Sequence, residues 1–150
     1  MSDHEIALQK ALIVHLRDDD ALKALLGDPA RIWDAAPRGA RYPHLLIGRC
    51  ESRPVEADGC GVEHVLTLRC ASRFEGTEEA KAVCAAVRAA VHEAALEADG
   101  IRAVSIRATF ADVFRSSDHK RVWGVVRVRA ITEDIRGERP WPHSAEKTSC

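Results

Sequence analysis

The sequence predicts an α+β domain, an antiparallel sheet of about four main strands with a long helix and N-terminal helices packed on one face. Three observations predict it. Apolar residues recur with a helical period near the N-terminus and again after Thr77. Two pairs of strand-like runs, within residues 44–73 and 102–133, are each divided by a polar turn. Finally, 150 residues that are 46% hydrophobic and 30% charged suffice for one core and not comfortably for two.

Between residues 6 and 16, Leu8, Leu12 and Leu16 repeat every four positions, with Ala11 and His15 on the same stripe. Asp3 stands where an N-cap would. Asp18, Asp19 and Asp20 place negative charge where a second helix would start, and Ala21, Leu22, Leu25 and Leu26 follow before Gly27 and Pro29 end the run. Two short helices are expected, or one broken at the acidic triplet. Ile32 and Trp33 then begin an extended stretch that Pro37, Gly39 and Pro43 interrupt, because the residue before a proline is driven out of the helical region.

Residues 44–52 and 63–73 read as a long antiparallel hairpin whose projecting tip, residues 56–61, carries Glu56, Asp58, Gly59 and Gly61. In the second strand Leu66, Leu68 and Cys70 alternate with Thr67, Arg69 and Ala71, so one face is apolar and the other mixed. Thr77 is placed to cap the next helix, with Glu78 and Glu79 in its first turn. Ala80, Val83, Val87, Val91 and Ala94 mark a face that extends to about Leu96, which makes this the longest expected helix. Asp99-Gly100 punctuates its end. Strands at 102–114 and 122–133 follow, joined by the polar turn at 116–120. The domain is thus expected over residues 1–133. Residues 134–150, with Pro140, Trp141, Pro142 and no periodicity, read as an extended tail.

A formal net charge of -1 removes the bulk electrostatic case for a nucleic-acid or membrane-surface binder, so only a local patch could meet DNA. No window reaches about 18 apolar residues, and the start lacks the basic and apolar segments of a secretory signal. Cys50, Cys60, Cys70, Cys84 and Cys150 form an odd set without CxxC spacing, which reads as reduced thiols in a cytoplasm.

The search for reactive chemistry returns little. His4, His15, His44, His64, His92, His119 and His143 show no HxH or HExxH spacing, so no metal site is expected. Cys70 with His64, and Cys50 with His44, stand six residues apart on strands, roughly 20 Å along a strand, which is too far for a thiol and its base. Neither GxGxxG nor a phosphate loop occurs, and no cofactor is expected. One constellation remains. Arg127 and Arg129 share a strand face with Trp123, Val125 and Ile131, and Arg69 and Arg107 have similar places on neighbouring strands. Such a face suits DNA in a lumen through phosphate contacts, a subunit interface enriched in arginine and aromatic residues, a solvated surface paired with carboxylates, or packing against a helix.

The order of these segments carries a resemblance. Ala21-Leu22-Lys23-Ala24-Leu25-Leu26-Gly27, Arg31-Ile32-Trp33-Asp34, Pro43, Glu63-His64 with Leu66 and Leu68, Ser72-Arg73, Glu79-Ala80-Lys81 through Val91-His92, and Arg127-Val128-Arg129-Ala130 follow one another at characteristic spacing. The chain resembles the small phage tail-completion proteins, similar in fold and role to lambda-type tail terminators, across residues 5–133. Trp141-Pro142-His143 departs from the family's pattern.

The resemblance implies a non-enzymatic tail terminator. It would form a ring, usually of six copies, that caps the tail tube, ends its elongation and joins it to the head connector. The implied partners are copies of itself, the tube protein, the connector or stopper protein, and DNA passing non-specifically through the lumen, with no membrane. The implied location is the bacterial cytoplasm during assembly and then the tail or neck of a phage-like particle. Alanine- and arginine-rich usage is compatible with a prophage or a gene transfer agent as well as a virus. The alternatives are another neck component, an adaptor or stopper, and a small cytoplasmic enzyme of ferredoxin-like architecture.

Overall fold

Leu8, Leu12 and Leu16 lie on one side of a first helix, α1 (Ser2–Arg17), and all three are buried. The computed structural model describes residues 2–55 and 61–136. The acidic triplet divides the N-terminal segment into two helices. Asp19 caps α2 (Asp20–Leu26), its carboxylate accepting from the Leu22 N–H at 3.0 Å. Gly27, at φ 90°, ends α2 in a conformation that side chains rarely adopt. Asp3 falls inside α1 instead of capping it, where its charge still complements the helix N-terminus.

The sheet contains six strands, which corrects the expected four. Strand β1 (Ile32–Trp33) pairs in parallel with β2 (His44–Pro54), so the sheet is not wholly antiparallel. The hairpin of β2 and β3 (Val62–Ser72) then leads to α3 (Glu78–Val91), a short β4 (Glu97–Ala98), β5 (Ile101–Arg115) and β6 (Val122–Asp134). The order across the sheet is β1-β2-β3-β6-β5-β4. The four long strands are antiparallel to their neighbours.

The third helix also differs from expectation. It stops at Val91, and at 14 residues it is shorter than the 16-residue α1. Glu93 adopts φ 51° and donates its N–H to the Ile106 carbonyl, which pulls the chain onto β5. Leu96 is buried, but from the segment that leads into β4. Asp99 and Gly100, both at positive φ, form the two-residue turn between β4 and β5, a geometry matched to sheet twist. Thr77 precedes α3 without making a side-chain cap bond.

Strand alternation sets the two faces of the sheet. Leu66, Leu68 and Cys70 of β3 and Val122, Val126, Val128 and Ala130 of β6 face the helices and are buried. Ala80, Val83, Cys84, Val87 and Val91 of α3 meet them. Each fully buried leucine or valine contributes about 1.5–3 kcal/mol. Gly124 allows α3 to approach β6 closely, since a Cβ there would lie 2.7 Å from the Cys84 Sγ. Among the described residues no helix is long and apolar enough to cross a membrane.

Candidate functional site

The face of the sheet turned away from the helices carries the residues singled out in the sequence. Trp123, Val125, Arg127, Arg129 and Ile131 alternate along β6 with the buried positions. Across β3, Arg69 stands opposite Val125, Thr67 opposite Arg127 and Val65 opposite Arg129. Across β5, Arg107 stands opposite Arg129, Phe110 opposite Arg127 and Phe114 opposite Trp123. Arg69, Arg107, Trp123, Arg127 and Arg129 therefore form one patch over three adjacent strands.

Each guanidinium is held differently. Arg129 donates to Glu63 Oε2 at 2.6 Å, and Arg53 donates to Oε1 of the same carboxylate at 2.8 Å. Hydrogen bonds from Arg129 and then Arg53 hold the Glu63 carboxyl below its ordinary range. Drawing Arg129 toward Glu63 eases the facing of like charges between Arg107 and Arg129. Arg69 lies 4.5 Å from the Trp123 ring centroid and Arg127 4.8 Å from that of Phe110. These stacks orient the guanidinium planes without neutralising them. Among the described residues Arg69, Arg107 and Arg127 have no carboxylate within ion-pair distance. Guanidinium does not titrate near neutral pH, so the patch offers fixed charge, planar donors and the exposed rings of Phe110 and Phe114, and no acid-base chemistry.

At the end of this face Tyr42 lies under Arg73, 4.2 Å from its ring centroid, with Arg121 at 5.9 Å. Tyr42 and Arg73, with His44, border an open depression that also includes Pro37 and Gly39. Of the expected hairpin tip, Glu56, Asp58 and Gly59 lie outside the described residues. Gly61 closes the described part of the hairpin, its carbonyl accepting from the Val55 N–H. The expected tail lies outside them from residue 137 onward. Arg136 pairs with Asp134 at 2.7 Å, and Ile135 donates its N–H to the Gly100 carbonyl.

The opposite face contains a polar chain that spacing in the sequence did not reveal. Ser52 Oγ lies 2.8 Å from His64 Nδ1, His64 Nε2 lies 2.8 Å from Thr132 Oγ1, and Thr132 Oγ1 lies 2.8 Å from His4 Nδ1. Two neutral imidazoles complete this chain with every proton pointing one way along it. Burial is the main force pushing His64 down to about 4, with the neighbouring His4 adding to it. Burial also lowers His4. Parity was the available signal: His64 shares the inward face of β3 with Leu66 and Leu68, so its ring had to find polar partners.

Cys50 reaches this chain through Ser52, at 3.7 Å, and burial raises its pKa. Burial pushes Cys70 up to about 12. Both are protonated at neutral pH and lack the thiolate that nucleophilic chemistry requires. Among the described residues no three histidine, cysteine or acidic side chains gather as a metal site.

A family model described as tail completion protein gp17 matches residues 10–133. The chain belongs to this family. The match runs from within α1 to Glu133 in β6, so it includes the second half of α1, all of α2 and α3, and the sheet except for the last residue of β6. This tail-completion protein is also similar to a chain in the virion of a native gene transfer agent particle, at 27% sequence identity and a TM-score of 0.80. That alignment covers 89% of this chain and 99% of the other. None of the curated proteins compared with it matches.

Proposed function

We propose that this chain is the tail terminator of a phage-like particle. In this reading it forms a ring, of six copies, that caps the tail tube, ends its elongation and joins it to the head connector. The observation that carries the reading is the likeness to a gene transfer agent virion chain over almost the full length of both. The arginine and aromatic patch agrees with it, because it offers binding contacts with no reacting groups, as suits a structural subunit and not an enzyme. The partners are other copies of this chain, the tube protein and the connector protein, with DNA passing through the lumen. Assembly takes place in the bacterial cytoplasm before the subunit enters the neck.

Deletion of the gene from a particle-producing host, followed by electron microscopy, tests the assignment. Overlong tails without heads, restored to uniform length by the wild-type chain, are expected. Tails of normal length joined to leaking or empty heads would assign the chain to a stopper or adaptor instead.

A further inference from the structure

The sheet ends in two open edges. On the outer side of β5, β4 covers only Ile101 and Arg102, and the segment between α3 and β4 supplies bonds to Ala103 and Ile106. Among the described residues nothing pairs with that side of residues 107–115. At the other end of the sheet, β1 covers only Leu45 and Leu46 of β2, which leaves that side of residues 47–54 open to a similar length.

Unpaired strand edges are commonly blunted by lysine, proline or bulges. Strand β5 has two bulges but no lysine or proline, and it exposes Phe110 and Phe114 at 44% and 42%. Strand β2 has one bulge and ends at Pro54.

We propose that the open edge of β5 receives the open edge of β2 from a second copy of this chain, antiparallel, so that the sheet continues from subunit to subunit. Strand direction supports this occupant. Strands β2, β3, β6 and β5 reverse at each step, so β2 and β5 of one chain run oppositely. A second copy set alongside in the same orientation brings its β2 antiparallel to β5 without turning the sheet over, and its core face continues the first. The two edges are different surfaces, so the contact is heterologous and repeats. A heterologous contact repeated at a constant rotation closes a ring when that rotation divides a full turn. The repeat rests on the ring reading above.

Ala111 provides a selective probe. The Ile106 carbonyl faces the open side, where Glu93 donates to it, and its β6 partner Ala130 stands four residues from Val126, the partner of Ala111. Ala111 therefore turns its N–H outward too, and proline there removes a bond only from an added strand. Native mass spectrometry and amide hydrogen exchange over a concentration series would test wild type, Ala111→Pro and Ala111→Lys. The expected result is a discrete oligomer in which residues 47–54 and 107–115 exchange about tenfold or more slowly than in the dilute protein. Both variants should remain folded and shift toward monomer. An oligomer whose β5 amides exchange as fast as in the monomer, or variants that assemble like wild type, would overturn edge pairing and leave the ring reading intact. A monomer at every concentration would also overturn it, and the ring reading would then be judged by the tail-length experiment.

Discussion

Thr132 links two imidazoles that lie far apart in sequence, His4 on α1 and His64 on β3. Its hydroxyl has one proton, so it donates to one ring and accepts from the other, and the chain cannot be satisfied with both rings charged. His64 is pushed down to about 4 from an ordinary 6.5, mainly by burial, whereas nearby Glu5 pulls weakly in the opposite direction. Between those values the unfolded chain binds more protons than the folded one, so stability rises with pH across that window. The urea midpoint of the wild-type protein should therefore fall as pH is lowered from 6.5 toward 4, and His64→Asn should flatten that decline. An unchanged slope in the variant would show that other groups dominate. The inward position of His64 was legible from its alternation with Leu66 and Leu68. Its partners were not, since Ser52 and Thr132 meet it only through strand pairing.

Element positions followed local periodicity closely where the pattern was strong, and departed from it where a long-range bond intervened. The stripe of Leu8, Leu12 and Leu16 located α1, and the acidic triplet marked the break before α2. The stripe beyond Val91 did not extend α3, because the Glu93 N–H is taken by Ile106, more than ten residues away in sequence. The two-residue strands β1 and β4 were too short to show alternation. Gly124 shows how closely the elements fit. Gly124→Ala would place a Cβ 2.7 Å from the Cys84 Sγ and 3.5 Å from the Ala80 carbonyl oxygen, so α3 or Cys84 must shift. The expected cost is about 1–3 kcal/mol in chemical denaturation. Adding Cys84→Ala to that variant should recover part of the loss, a non-additive effect measurable in a double-mutant cycle.

At the scale of the whole molecule, the helices cover one face of the sheet and leave the other to a patch of arginines and aromatic rings. Arg107 and Arg127 are exposed and make no ion pair among the described residues, and Arg127 makes only a stacking contact with Phe110. Replacing both by alanine should change folding stability by no more than about 1 kcal/mol in thermal or urea unfolding. If the patch meets a neighbour or the tube, the yield of complete particles from a complemented deletion strain should fall by about tenfold or more. Full yield from the folded double variant would remove these two residues from the proposed interface.

The sequence by itself determined the α+β class, the long strands, the three helical segments and the sharing of one strand face by Trp123, Arg127 and Arg129. These depend on period and turn chemistry, which are local. The order of the segments carried the family. Tertiary structure alone decided that β6 lies between β3 and β5, bringing Arg69 and Arg107 to either side of that strand. It also decided that Glu63 is shared by Arg53 and Arg129, that the buried His4, His64 and Thr132 form one chain with the half-buried Ser52, and that the sheet ends in two open edges. Strand order and register arise from the burial of one common core by segments far apart in sequence, and no local period encodes which of them become neighbours.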